Sequence, residues 1–99
     1  SSAVVSRTPV TSTITSSVND QILGVSASAA LDIRLPAASG FSGGSKLIIK
    51  DEAGNASNFN ITIKTTGADK IDGTTSIILN SDHAAVNIYT NGSDKFFIY

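Results

Sequence analysis

Lys46 to Lys64 reads KLIIKDEAGNASNFNITIK, two short apolar runs separated by two acids, a glycine and several asparagines. The runs alternate with period two. Leu47 and Ile49 share one face of the first, and Ile61 and Ile63 share one face of the second with Asn60, Thr62 and Lys64 opposite, so both read as strands with one buried side. The polar segment between them reads as turn chemistry: Lys50-Asp51-Glu52 ends a strand, Gly54-Asn55 takes a positive φ, and Ser57-Asn58 bonds the loop backbone. On that reading the two strands are neighbours in a plain hairpin. Asp51, Glu52 and Asn55 also offer hard oxygen ligands, but the spacing lacks the repeated Asp/Asn and the closing bidentate Glu of a calcium loop. No metal or other cofactor is expected.

The same period extends outward in both directions. Val10, Ser12 and Ile14 alternate with Thr11, Thr13 and Thr15, a β-branched run that Pro9 confines to a strand start or a sheet edge. Gln21–Val25 follows, then Leu31-Asp32-Ile33-Arg34-Leu35, with Leu, Ile and Leu on one face and Asp and Arg on the other. Ser76–Asn80, Ala84–Thr90 and Lys95–Tyr99 complete about eight strands with turn residues every 8 to 12 positions. Ser and Thr supply 25 of the 99 residues, which suits exposed β faces, and the Ala-rich Ser26–Ala30 lacks an apolar stripe at helical spacing. An all-β sandwich or barrel is expected.

Turn signals separate the strands. Asn91-Gly92 is the strongest, because both residues tolerate positive φ and the flanking runs can pair across a short loop. Asp72-Gly73, Gly67-Ala68-Asp69 and Phe41-Ser42-Gly43-Gly44 mark further loops. Gly43-Gly44-Ser45-Lys46 is no phosphate cradle, since it runs into Leu47-Ile48-Ile49 instead of ending in Gly-Lys-Ser/Thr before a helix.

Composition narrows the function classes. Seven basic and eight acidic residues give a net charge of −1, with no basic run to release counterions from a phosphate backbone, so nucleic acid is not an expected partner. No Cys is present to form disulfides or thiolate metal sites. No apolar stretch approaches the roughly 20 residues of a membrane-spanning helix. The chain has no Met and reads as a piece of a longer polypeptide or a processed product. His83 is the only histidine, with no nucleophile elbow to serve, and Asp69 and Asp72 read as turn aspartates, so no catalytic residues are assigned and an enzyme is not expected.

The last strand has two apolar sides. Phe96 and Ile98 face one way and Phe97 and Tyr99 the other, so burying both needs an internal position or a second subunit. Phe97 and Tyr99 are candidates for a subunit interface.

The order Leu35-Pro36-Ala37-Ala38-Ser39, Leu47 to Ala56 (LIIKDEAGNA), Ile61-Thr62-Ile63, Asp69-Lys70-Ile71-Asp72-Gly73 and Tyr89-Thr90-Asn91-Gly92 resembles a small β module of bacteriophage tail fibres, tailspikes and tail-needle tips. The resemblance covers Asn19 to Tyr99. It departs where the pattern usually carries a Trp in the final strand, since this chain has Phe96-Phe97. With the strand spacing, the resemblance implies an all-β, jelly-roll-like antiparallel β-sandwich and a virion structural protein outside the cell, a homotrimer at the distal end of the tail, joined to other tail proteins and touching a host surface polysaccharide or outer-membrane protein. Residues 1–18 would then be a lead-in from a stalk and 19–99 the tip domain, with His83, Tyr89, Asn91 and Asp94 as candidate receptor contacts. Two other readings remain open, a trimerising cap without receptor binding and a carbohydrate-binding accessory domain of a polysaccharide-degrading spike.

Overall fold

The computed structural model describes residues 5–99, and the first four positions of the expected lead-in lie outside the described residues. Among the described residues ten strands form, against the expected eight or so: β1 Arg7–Val10, β2 Ile14–Thr15, β3 Ile22–Val25, β4 Leu31–Arg34, β5 Lys46–Asp51, β6 Ile61–Lys64, β7 Lys70–Ile71, β8 Ser76–Leu79, β9 Ala85–Thr90 and β10 Lys95–Ile98. They make two sheets. Sheet A has the order β1-β3-β5-β9-β10-β7 and sheet B the order β2-β4-β6-β8. The expected two-sheet, all-β architecture is what forms.

The connectivity is different from the expected one. From β1 to β9 the chain crosses to the other sheet after every strand, so that β1–β2, β3–β4 and β5–β6 are three stacked rungs. Each strand then lies beside the strand two earlier and runs the same way: β1, β3 and β5 are parallel in sheet A, and β2, β4 and β6 are parallel in sheet B. Only then does the direction reverse, with β8 antiparallel to β6, β9 antiparallel to β5, and β10 returning beside β9. Five of the eight strand pairs are parallel, which corrects the antiparallel, jelly-roll-like expectation.

The hairpin expected across Lys46–Lys64 is corrected for the same reason. β5 and β6 belong to different sheets and face each other across the core. Period-two alternation fixes which side of a strand is buried. It does not distinguish a neighbour in the same sheet from a partner in the facing one, since both bury the same face. The Val10–Thr15 run likewise divides: β1 ends at Val10 in sheet A, and β2 begins at Ile14 in sheet B.

The core lies between the sheets. Leu23, Val25 and Ile49 of sheet A meet Ile33, Ile61 and Ile63 of sheet B, all with no exposed surface. The register stacks like on like, as in Ile14–Ile33–Ile63–Ile77 across sheet B. Each fully buried Leu or Ile contributes roughly 1.5–3 kcal/mol. Pro9 sits on the sheet A edge, as expected: Ser6 and Val10 direct their carbonyls to β3, so Pro9, one position out of phase, turns its missing N–H to the open side. β7 was hidden between two turn signals, and a 3-10 turn at Ala38–Gly40 also went unread.

Candidate functional site

Asp51 answers what the acidic cluster does. It closes β5 with its side chain wholly buried. Its carboxylate accepts backbone N–H groups from Gly54 at 3.1 Å, Ala56 at 2.9 Å and His83 at 2.9 Å. Burial pushes the Asp51 carboxyl up, but the backbone N–H groups of His83, Ala56, Gly54 and Asn55 together outweigh it and hold the group below the usual carboxylate range. The carboxylate thus ties the 52–60 connector to the loop before β9. It is a structural anchor.

The neighbouring polar residues serve the same connector. Glu52 forms an ion pair with Arg7 of the first rung, with Arg7 Nε to Oε2 at 3.0 Å, and the hydrogen bond from Arg7 lowers its pKa. Its carboxyl lies over Gly24, where a Cβ would come within 2.5 Å of it. Gly54 takes φ 78° beneath the His83 ring, so the expected positive φ falls on Gly54 alone. Asn55 Nδ2 donates to the Ala27 carbonyl at 2.7 Å, and Ser57 donates through both its N–H and its hydroxyl to Asp82.

His83 is part of this structure. Its φ is 62°, its N–H is held by Asp51, and its Nδ1 lies 3.3 Å from the Asp51 carbonyl. It stands before β9, whereas Asn91 and Asp94 stand after it. Eight residues of nearly extended chain separate His83 from Asn91, roughly 25 Å. The four residues expected at receptor-contacting loops therefore do not converge: His83 is at one end of the sandwich and the other three are at or near the opposite end.

That opposite end is well ordered by its own bonds. Asn91 Oδ1 accepts the N–H groups of Ser93, Asp94 and Lys95, and its Nδ2 donates to Asp94 Oδ1 at 3.1 Å. Gly92 takes φ 74°, and the expected hairpin of β9 and β10 is present. The hairpin rests on the Gly43-Gly44 loop, where Gly44 donates to the Thr90 carbonyl at 2.8 Å.

Tyr89 is a strand residue, and it joins the residues assigned to an interface. On the outer face of sheet A its ring centroid lies 5.1 Å from that of Phe97 and 5.6 Å from that of Tyr99. Lys46, the register partner of Tyr89 on β5, places its Nζ 5.8 Å from the Tyr99 centroid. Tyr89 is 38% and Tyr99 53% exposed, while Phe97 is half-buried between strands. Phe96 points inward, 2% exposed, against Phe41. The last strand is thus apolar on both sides, with Phe96 in the core, Ile98 on the same side 42% exposed, and Phe97 and Tyr99 on the outer face.

The alternation of β9 could have placed Tyr89 outward, but only strand pairing reveals that Phe97 is its partner. Comparison with known protein families and with characterised proteins returned no match for this chain.

Proposed function

We propose that the chain is the distal tip module of a bacteriophage tail fibre, spike or needle, a virion structural protein that works outside the cell in host attachment as a homotrimer. The motif resemblance supplies the class. The observation that carries the assembly is the aromatic group on the outer face of sheet A, where the Tyr89 ring contacts both Phe97 and Tyr99. Aromatic side chains gathered on an exposed face are the composition of a surface that another chain covers. In a closed threefold ring each subunit offers this face to a different face of the next, so the rings need not meet their own copies. The Asn91–Asp94 loop, beside Tyr89, supplies polar groups for a polysaccharide or an outer-membrane protein, and three copies acting together raise avidity where one contact is weak.

Light scattering across a concentration series tests the assembly. A mass of three times 10.2 kDa is expected, falling toward 10.2 kDa for Tyr99→Ser combined with Phe97→Ser. A monomer at every concentration would overturn the reading.

A further inference from the structure

The outer face of sheet B has a different chemistry. Thr15, Arg34, Lys64 and Ser76 are register partners across β2, β4, β6 and β8. Arg34 and Lys64 therefore stand on adjacent strands, about 4.8 Å apart at the backbone. Like charges placed directly opposite destabilise a sheet, and neither side chain enters the core, so packing does not account for the pairing. Lys64 is offset by Asp32, with Nζ 2.8 Å from Oδ2. Among the described residues Arg34 has no carboxylate within ion-pair range. Its Nη1 donates to the Thr65 carbonyl at 2.7 Å, which holds the guanidinium by one corner; Arg34 is exposed, and its other donors have no hydrogen-bond partner among the described residues.

The surface sinks on either side of this pair. One depression of about 230 Å³ is lined by Thr13, Ile14, Thr15 and Asp32 together with Arg34 and Lys64. A second of about 260 Å³ shares Arg34 and Lys64 and adds Thr65, Thr75 and Ser76. Both are shallow and rich in hydroxyls.

We propose that this face binds an acidic saccharide, with a sugar carboxylate on the free side of the Arg34 guanidinium and ring hydroxyls against Thr15, Thr75 and Ser76. A planar guanidinium matches a carboxylate through two parallel hydrogen bonds, which a lysine cannot reproduce. Ser and Thr hydroxyls both donate and accept, as sugar hydroxyls do. The second depression, at Thr65, Thr75 and Ser76, is lined mainly by polar atoms. The proposal adds a second surface, on sheet B, to the Asn91–Asp94 loop named for attachment, and it fails separately from the assembly reading, because the mass measurement probes sheet A and the following titration probes sheet B.

The test is a two-dimensional NMR titration of the isotope-labelled chain with trigalacturonic acid, maltotriose, inorganic phosphate and a short polyglutamate, at matched ionic strength. Trigalacturonic acid is expected to shift the amides of Thr15, Arg34, Lys64 and Ser76 and the Arg34 side chain, with maltotriose inert. Arg34→Gln should weaken binding at least fivefold, and Thr15→Val should weaken it less while leaving the rest of the spectrum in place. Shifts confined to other residues, or equal binding by Arg34→Gln, would sink the site. Phosphate binding as tightly as the trisaccharide would overturn the saccharide assignment in favour of a simple anion site. Tighter binding of polyglutamate at these residues would overturn it in favour of an acidic peptide.

Discussion

The 52–60 connector and the 91–94 loop are built from the same parts and do opposite things. Each turns on a glycine at positive φ, Gly54 or Gly92, and each gathers three backbone N–H groups on one side chain. In the second loop the acceptor is the exposed, neutral Asn91, and its donors are the residues two to four positions ahead. All of its bonds are local, so the loop closes on itself and returns the chain to the same sheet. In the first the acceptor is the buried, charged Asp51, and one donor, His83, is 32 positions away. That bond binds the connector to another part of the fold, while the chain passes into the facing sheet. Whether such a turn makes a hairpin or a crossing depends on where its acceptor finds its donors.

The two acceptors differ most in what their loss costs. Asp51→Ala leaves the buried N–H of Ala56 and the half-buried N–H groups of Gly54 and His83 without a partner. A buried unpaired donor costs about 1–3 kcal/mol and a half-buried one less, so a loss of about 2–3 kcal/mol is expected in urea unfolding. Asn91→Ala exposes its three donors to water, which rebonds them, and should cost about 1 kcal/mol. Equal losses would show that Asp51 is no more than a turn residue.

What was legible in the sequence follows the same division. Strand positions from Ile22 onward could be read because each strand has one buried face, and apolar residues at every second place record that face. Sheet membership could not, because Leu47–Ile49 and Ile61–Ile63 would show the same alternation as hairpin partners or as facing strands. The polar side chains of the Lys46–Lys64 stretch were correctly read as loop chemistry, but burial of Asp51 depends on His83, which no local window contains. Of the surface residues, Phe97 and Tyr99 stood out because the last strand is apolar on both sides. Their contact with Tyr89, and the pairing of Arg34 with Lys64, arise from register between strands distant in sequence. β7 is two residues long and pairs with β10 across 25 positions, too short for periodicity to mark.

Gly92 and Gly67 share a positive φ but differ in what surrounds them. At Gly92 a Cβ would meet Gly43 N at 2.6 Å and the Phe41 carbonyl oxygen at 3.0 Å, in addition to the strain of φ 74°. Gly67 takes φ 62° with nothing within 4 Å of its Cβ position. Gly67→Ala isolates the backbone term, about 1–2 kcal/mol. Gly92→Ala should cost more by the amount needed to push two backbone segments apart, because neither is the flexible end of a side chain. If thermal unfolding shows equal losses, the hairpin is not seated on the Gly43-Gly44 loop as tightly as these distances require.

The smallest effect at neutral pH, and the one most specific to the charged acceptor, concerns acid. Asp51 has its folded pKa lowered relative to the unfolded chain, where a carboxyl titrates near 3.9. A lowered folded pKa means that the unfolded chain takes up the proton first. The carboxylate's contribution is therefore complete above the unfolded value and is lost as pH falls through the folded one. Asp51→Asn keeps an acceptor oxygen but carries no charge to titrate. Urea midpoints measured from pH 7 to pH 2 should fall more steeply for the wild type than for this variant below about pH 4, with the two curves parallel above it. The exposed Asn91 loop offers a control, since Asn91→Ser should shift the whole curve without changing its slope. A wild-type curve parallel to that of Asp51→Asn down to pH 2 would mean that the three N–H groups do not prefer the ionised carboxylate, and the distinction between the two loops would then rest on burial alone.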